Sequence, residues 1–233
     1  YIIGDRNQSI YGYSGANCDS IEAMLKRRRQ TVEMHLSTNF RSARTIVENS
    51  NKYSSLQAVP FHQEEGKVNR KIILFEQMVE ILKNNPYVAI LIRELEKRLL
   101  MMKMPIRYEN YFKESEIEDM QKAKERLTTK NKMKALLPYY NNADEVIQFI
   151  KSNKDKKSFI TTVHKSKGRE FPICVVVNSI APEILKENNI ELPKEYMSLI
   201  SFDPDDEMDY ESKNIHYVAV SRAKDEIYFM VMD

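Results

Sequence analysis

The segment spanning residues 4–16 carries the first side chains whose types and spacing could do chemistry. It reads GDRNQSIYGYSGA, with an amide at Gln8 and aromatic rings at Tyr11 and Tyr13 in a turn-rich stretch. The Gln8 amide could hydrogen-bond a phosphate or an attacking water, and the rings could stack on unpaired bases. The alternative is that both tyrosines pack a turn, as aromatic residues near glycines commonly do. The segment is suited to nucleotide chemistry without establishing it.

A loop for binding nucleotide phosphates is missing from this sequence. None of the five glycines, at positions 4, 12, 15, 66 and 168, begins the GxxxxGK[ST] pattern whose backbone amides cradle phosphates. We therefore expect that the chain cannot hold ATP alone. We also expect it to be a fragment whose missing part carries that loop.

Four segments, taken in order, resemble motifs III to VI of the UvrD/Rep type of superfamily 1 DNA helicases. Residues 4–16 resemble motif III, and residues 36–46, LSTNFRSARTI, resemble motif IV. Residues 161–172, TTVHKSKGREFP, resemble motif V, and residues 215–229, IHYVAVSRAKDEIYF, resemble motif VI. Residues 87–119 resemble the strand and helix that the family has between motifs IV and V. Together these matches indicate the C-terminal, second RecA-like domain of such a helicase.

The resemblance assigns the catalytic charge to two arginines. ATP would lie between two RecA-like domains, with the P-loop and the Mg²⁺ ligands on the missing first domain. Arg222 would be the arginine finger and Arg41 its partner, acting with Gln8, because a guanidinium offers the γ-phosphate a permanently charged fork of donors. The alternative for Arg222 is an ion pair with a carboxylate such as Glu170 or Asp225, which would steady the motif VI helix.

The same resemblance implies further contacts to nucleotide and DNA. Phe40 would stack on the adenine, with core packing as the alternative. Glu170 would accept hydrogen bonds from the ATP ribose or link the nucleotide to the DNA side, and Gly168 would let the backbone come close to the nucleotide. Tyr11 and Tyr13 would stack on bases of single-stranded DNA. The donors expected to contact the DNA phosphates are Thr162, His164 and Lys165.

Three departures from the family pattern change these expectations. Family members commonly carry Trp and Arg where this chain has Tyr13 and Ser14, which predicts a weaker grip on DNA. Family members often carry an Arg where this chain has Asn214, so the resemblance does not establish the contact that this Arg would make on the nucleotide side. Larger relatives insert a helical subdomain near residues 127–155, and this short Lys- and Asn-rich stretch predicts that the subdomain is absent or vestigial.

Alternating strands and helices must position these residues. Short apolar runs predict the strands, and apolar residues at helical spacing predict the helices. The alternation favours an α/β fold with a mostly parallel sheet and helices on both faces, and the resemblance makes it RecA-like, of the P-loop NTPase type but without the P-loop. Because ligands collect at the carboxyl ends of parallel strands, we expect functional residues to follow strands. The predicted strands cover residues 32–36, 71–75, 87–92, 159–163, 173–178 and 227–232, and the predicted helices cover residues 20–29, 42–53, 76–83, 93–103, 115–127, 143–151 and 207–222.

Three parts are expected along the chain. Residues 1–19 would join from the first RecA-like domain, which is the expected partner within the same protein. Residues 20–126 and 156–233 would form the second RecA-like domain. Residues 127–155 would be the short insertion between its two halves.

Composition and charge exclude some classes of protein. The net charge is +2, from 36 Lys and Arg against 34 Asp and Glu, so DNA contacts would need local patches, not a uniformly basic surface. Cys18 and Cys174 have no ligand-like spacing to each other or to the 4 histidines, which gives no support to a zinc site or a disulfide framework. Without a run of about 18 apolar residues or a signal peptide, we expect a cytoplasmic protein with reduced thiols and no membrane partner.

The resemblance implies an ATP-dependent helicase or translocase that moves 3′ to 5′ on single-stranded DNA in replication, repair or recombination. The chain alone is not expected to hydrolyse ATP. Two alternatives remain, namely a non-catalytic helicase-like module that binds DNA or a partner, and a helicase half fused to a nuclease. A motor requires a P-loop and a DExx-type carboxylate pair upstream, so the upstream sequence distinguishes the module from the motor.

Overall fold

A parallel β-sheet forms the centre of the molecule. The computed structural model describes residues 3–15, 20–27, 32–93, 103–108, 115, 134, 136–203 and 209–232. The strands of the described residues are β1 (Thr38–Asn39), β2 (Val59–Pro60), β3 (Lys67–Ile72), β4 (Val88–Ile92), β5 (Arg107–Tyr108), β6 (Phe159–Thr162), β7 (Phe171–Val177) and β8 (Ala223–Met230). The main sheet has the order β3-β8-β7-β4-β6-β5, and all its neighbours pair in parallel. Strands β1 and β2 form a separate parallel pair.

Helices cover both faces of this sheet, because successive strand residues point to opposite faces. In β4, Ala89 and Leu91 pack into one apolar cluster, while Val88, Ile90 and Ile92 pack into the other. The predicted mostly parallel α/β fold with helices on both faces is therefore confirmed. The helices are α1 (Ser20–Arg27), α2 (Arg44–Asn51), α3 (Phe75–Asn84), α4 (Ala143–Ser152), α5 (Val163–Ser166), α6 (Pro182–Glu187), α7 (Lys194–Ile200) and α8 (Tyr210–Val220).

Helix α8 is the element that most directly positions the candidate site. It is buried along most of its length, and the chain turns directly from its end into β8. Arg222 therefore lies at the amino end of β8, where its carbonyl oxygen accepts a hydrogen bond from the Phe171 amide at the start of β7. Arg222 thus precedes its strand, at the end of a helix, whereas the other predicted site residues were expected to follow strands. A helix that connects to a parallel strand must return to the amino edge of the sheet, and it delivers its last residues there.

Two predicted strands differ from the structure. Residues 32–36 alternate between apolar and polar side chains, yet they form no strand, and Val32, Met34 and Leu36 are exposed. Alternation alone does not make a strand, because the backbone also needs a neighbouring strand for its hydrogen bonds. The strand predicted at 71–75 is β3, which begins earlier and ends at Ile72. Leu74 instead caps α3, with its amide donating to Gln77 Oε1 at 2.8 Å.

Other predicted elements agree with the structure or lie outside it. Helices α2, α3, α4 and α8 match four predicted helices to within three residues at each end, and the strands predicted at 87–92, 159–163, 173–178 and 227–232 match β4, β6, β7 and β8 to within about four residues. Strands β1, β2 and β5 and helices α5, α6 and α7 were not predicted. The predicted helices at 93–103 and 115–127 lie almost entirely outside the described residues.

The described part of the segment 127–155 packs against the main sheet. Leu136, Tyr140, Val146 and Ile147 are buried in the same apolar cluster as alternate residues of β4 and β6. Helix α4 begins behind a side-chain cap, in which Asn142 Oδ1 accepts a hydrogen bond from the Glu145 amide at 2.9 Å. The end of this segment is therefore part of the core on that face of the sheet.

Candidate functional site

Arg222 is held almost entirely by its own end of helix α8 and by the motif V loop. Its side chain and backbone are only 2% exposed. Its Nε donates to the Val218 carbonyl oxygen at 3.1 Å, its Nη1 to the Arg169 carbonyl oxygen at 3.2 Å, and its Nη2 to Ser221 Oγ at 3.0 Å. All three acceptors are uncharged, so none of these bonds neutralises the positive charge of Arg222.

Arg41 comes from the distant motif IV and approaches Arg222 through the same serine. Its Nη2 donates to the carbonyl oxygen of Ser221 at 2.8 Å, while its Nε is buried and has no hydrogen-bond partner among the residues that the structure describes. Sequence reasoning selected both arginines but missed Ser221, although the serine directly precedes Arg222 in the chain. The tertiary structure thus brings two sequence-predicted cations to one residue.

The electrostatics of this pair favour an added anion. Burial, and next the nearby charge of Arg41, lower the pKa of Arg222 to about 10, which still leaves it protonated at neutral pH. In the described part of the chain, no carboxylate forms a salt bridge with either arginine. The alternative in which Arg222 pairs with Glu170 or Asp225 is therefore wrong. Glu170 instead lies 3.6 Å from Lys224 Nζ on the surface.

The motif IV turn is fixed to the start of β8. Asn39 Oδ1 accepts hydrogen bonds from the backbone amides of Arg41 at 2.9 Å and Ser42 at 3.0 Å. Ser42 Oγ donates to the Ala223 carbonyl oxygen at 2.8 Å, and the Ala43 amide donates to Lys224 O at the same distance. These bonds hold the backbone of Arg41 beside the residue that follows Arg222.

Phe40 projects into solvent next to Arg41. It is 65% exposed, so core packing, the alternative for this residue, is wrong. Its ring lies 4.8 Å from that of Phe61, centroid to centroid, and its carbonyl oxygen is 2.9 Å from His62 Nε2. Phe61 follows β2 and is also exposed. The pairing of β1 with β2 brings Phe61 next to Phe40, and the sequence does not show this pairing. An exposed pair of rings next to Arg41 in the chain can accommodate a flat base attached to an anion.

The motif III segment forms a tight 3-10 turn that orients Gln8. Asp5 caps this turn, since its Oδ1 accepts from the Asn7 amide at 2.9 Å. Its other oxygen, Oδ2, accepts from Gln8 Nε2 at 2.7 Å. The buried Asn7 side chain connects the turn to the loop after α2, where it donates to Ser54 Oγ and accepts from Ser55. The Gln8 amide therefore has a defined orientation that is set by Asp5.

Motif III also contacts motif V directly. The Tyr11 hydroxyl donates to the His164 carbonyl oxygen at 3.0 Å, and the two rings meet edge to face at 5.6 Å. Lys167 was not predicted as a site residue, yet its Nζ donates to the Gln8 carbonyl oxygen at 2.8 Å and lies 5.4 Å from the Tyr11 ring centroid. Tyr11 is therefore partly packed, with one face close to an ammonium group. Tyr13 belongs to the next 3-10 turn, and its side chain lies outside the described residues.

The other motif V residues have local roles in the fold. Thr162 caps α5, because its Oγ1 accepts from the Lys165 amide at 3.4 Å, whereas the Lys165 side chain is exposed. Gly168 has a φ of 82°, and a Cβ built there would meet no atom of the described residues within 4 Å. A glycine is thus favoured at position 168 because the backbone there is left-handed, and not because neighbouring atoms leave no room for a side chain.

Metal and membrane features give no further site. Among the residues that the structure describes, no group of three or more His, Cys, Asp or Glu side chains could hold a metal ion. None of the helices in the described ranges is both long enough and apolar enough to cross a bilayer. Cys174 is a buried free thiol, and Cys18 lies outside the described residues.

Comparison with known families matches more than half of the chain. The model of the UvrD-like helicase C-terminal domain matches residues 107–233, which include the segments assigned to motifs V and VI. Residues 4–46, which carry the segments assigned to motifs III and IV, lie before this match. A search of curated proteins finds no match.

Proposed function

The chain belongs to the UvrD-like helicase C-terminal domain family, and on that premise we propose that it is the second RecA-like half of an ATP-dependent DNA helicase or translocase. It works with a first RecA-like domain that supplies the P-loop. The two-domain protein binds single-stranded DNA and moves along it 3′ to 5′ during replication, repair or recombination. This proposal goes beyond family membership to the substrate, the reaction and the direction.

One observation carries the proposal. Arg41 and Arg222, from motifs separated by about 180 residues, both bind Ser221, and the described part of the chain supplies neither with a carboxylate. Two adjacent guanidinium groups repel each other, so an arrangement of this kind is favoured when an anion binds between or beside them. The γ-phosphate of ATP has the charge and the oxygens that such a fork recognises.

The chain's residues fit ATP as a substrate. Arg41 has a buried Nε that lacks a partner within the described residues, and this N–H would be satisfied by a phosphate oxygen that reached it. Phe40 would stack on the adenine, Glu170 would accept from the ribose, and Gln8 would contact the phosphate or orient the attacking water. Gly168 would lie near the nucleotide. Mg²⁺, which neutralises phosphate charge when bound, would be held by carboxylates of the first domain.

DNA would lie on the side of the site where motifs III and V meet. Tyr11 would stack on a base, together with Tyr13. Thr162, His164 and Lys165 would contact phosphates and so position the strand without reading its sequence. Lys167 connects the two sides within the chain, because it contacts both the Gln8 carbonyl oxygen and the Tyr11 ring.

The deciding experiment compares ATP hydrolysis by this chain alone with hydrolysis by a protein that also contains the first domain. We expect DNA-stimulated hydrolysis from the two-domain protein only, and its loss in Arg222→Ala. Hydrolysis by the isolated chain that survives Arg222→Ala would refute the shared site. Single-stranded DNA binding without any hydrolysis by the two-domain protein would favour the non-catalytic module instead.

A further inference from the structure

Asn214 on helix α8 binds the motif III turn through two hydrogen bonds. It is only 7% exposed, and its Nδ2 donates to the Arg6 carbonyl oxygen at 3.2 Å and to the Ser9 carbonyl oxygen at 3.1 Å. These two carbonyl groups lie on either side of Gln8 in the chain. Asn214 therefore contacts the turn that presents Gln8.

Glu211 binds the same segment one helical turn earlier. Its Oε1 accepts a hydrogen bond from the Gly12 amide at 2.9 Å. Residues three apart in a helix lie on the same face, so Glu211 and Asn214 form one contact surface on α8. This surface holds the chain at both ends of the stretch from Arg6 to Gly12, which contains Gln8.

Helix α8 also leads directly into Arg222. Its last residue is Val220, and Arg222 Nε binds the Val218 carbonyl oxygen within the final turn. The turn that carries Gln8 and the guanidinium of Arg222 are consequently both hydrogen-bonded to the same helix. A shift of the motif III turn relative to α8 would change the distance between these two groups.

We propose that Asn214 is a positioning residue that sets Gln8 in register with Arg222 for ATP hydrolysis. The inference rests on the proposed function, since Gln8 matters only if it contacts the phosphate or the attacking water. Asn214 acts through the backbone of the turn and touches no substrate. It therefore affects the rate of the reaction through the placement of Gln8, and small misplacements of such groups are costly.

The test uses Asn214→Asp in the two-domain protein. The carboxylate keeps the size of the side chain but cannot donate, and it would face two carbonyl oxygens, so the turn should shift. We expect kcat for DNA-stimulated ATP hydrolysis to fall by about tenfold to a hundredfold, with the KM for ATP changed by less than about threefold. Asn153→Asp is the matched control, because Asn153 is 5% exposed and its Nδ2 also donates to a backbone carbonyl, Phe149 O at 2.8 Å, and neither residue belongs to a motif segment.

A double-mutant cycle separates positioning from a general loss of stability. In the Gln8→Ala background, Asn214→Asp should cost less than about twofold more in kcat, since the group that it positions is already gone. Independent, multiplicative losses would overturn the inference, as would equal losses from Asn214→Asp and Asn153→Asp, or a normal kcat in Gln8→Ala. No hydrolysis by the unmodified two-domain protein would instead refute the proposed function, and the positioning role with it.

Discussion

Arg41 and Arg222 bind two different groups of the same residue, the backbone carbonyl and the side-chain hydroxyl of Ser221. Arg41 Nη2 donates to its carbonyl oxygen at 2.8 Å, and Arg222 Nη2 donates to its hydroxyl at 3.0 Å. Ser221 therefore fixes the relative position of the two cations, and its hydroxyl donates in turn to the Val218 carbonyl oxygen. The pair is organised by hydrogen bonds to neutral groups, which leaves its charge available to an anionic ligand.

Replacing Arg222 by Ala in the two-domain protein should slow ATP hydrolysis far more than it weakens nucleotide binding. An arginine finger stabilises charge that develops in the transition state, and its loss costs roughly 10³- to 10⁵-fold in rate. Arg222→Lys should restore little of the rate, because an ammonium lacks the planar fork of donors. Single-turnover hydrolysis and nucleotide affinity, measured on the same preparation, give the comparison.

Melting temperature supplies the control for this substitution. Arg222 donates three hydrogen bonds from a buried position, so Arg222→Ala should also lower the melting temperature. Rates must therefore be expressed per folded molecule. A lower melting temperature with normal single-turnover hydrolysis would show that Arg222 is structural only.

Tyr11→Ala should weaken binding of single-stranded DNA, whereas Tyr11→Phe should largely preserve it. If Tyr11 stacks on a base, removal of its ring costs on the order of 1 to 3 kcal/mol. Phenylalanine keeps the ring and loses only the hydrogen bond to the His164 carbonyl oxygen. Affinities measured for oligonucleotides of several sequences, over a range of salt, should show little sequence preference and a steep fall with salt. Equal weakening by both substitutions would indicate that the hydroxyl, and not stacking, is what matters.

His216 should make the protein less stable as the pH falls from about 6.5 to about 4. Complete burial lowers its pKa from 6.5 to about 4, outweighing the opposing hydrogen bond to the Ser179 carbonyl oxygen and the charge of Glu183. Between these pH values the unfolded chain binds a proton that the folded chain does not, so stability falls with pH by up to about 3 kcal/mol. Above pH 6.5 the ring is neutral in both states, and its contribution no longer changes.

Chemical denaturation at several pH values can isolate this contribution. His216→Asn retains an amide donor for Ser179 but cannot gain a proton, so the stability difference between pH 7 and pH 4.5 should shrink. His62→Asn is the control, since the His62 side chain is 42% exposed on the surface. A pH dependence unaltered in His216→Asn would contradict the assignment.

Gly66→Ala should destabilise the fold, by about 1 to 3 kcal/mol, because the new methyl group has no room. A Cβ at Gly66 would lie 2.6 Å from the Asp225 carbonyl oxygen in β8 and 2.9 Å from Ala43 Cβ. Gly12→Ala offers a comparison, since its Cβ would meet the end of the flexible Glu211 side chain, which can swing away with the loss of one hydrogen bond, the one that it accepts from the residue 12 amide. The free energy of unfolding should fall more for Gly66→Ala than for Gly12→Ala, and the reverse order would show that β8 can shift at Asp225.

Sequence reasoning succeeded best where a signal was local and strong. Strand β4 is a continuous apolar run, which a strand buried on both faces requires, and it was predicted within one residue. The apolar alternation at residues 32–36 was equally clear, yet it forms no strand, because pairing depends on a neighbour that a local pattern does not specify. Helix α5 was missed because four residues are too few to show helical periodicity.

The amino-acid sequence by itself determined which residue types are available: two arginines able to hold an anion, an amide at Gln8, and aromatic rings beside them. It also determined the alternation of elements that folds into a parallel sheet. Only the tertiary structure decided that Ser221 holds both arginines, that Asn214 holds the turn around Gln8, and that Phe61 packs on Phe40. Except for the bond between Arg222 and its neighbour Ser221, those contacts join residues that lie apart in the chain, most of them by hydrogen bonds to backbone carbonyl groups. Every residue carries such a carbonyl, so no sequence pattern marks which one a side chain will bind.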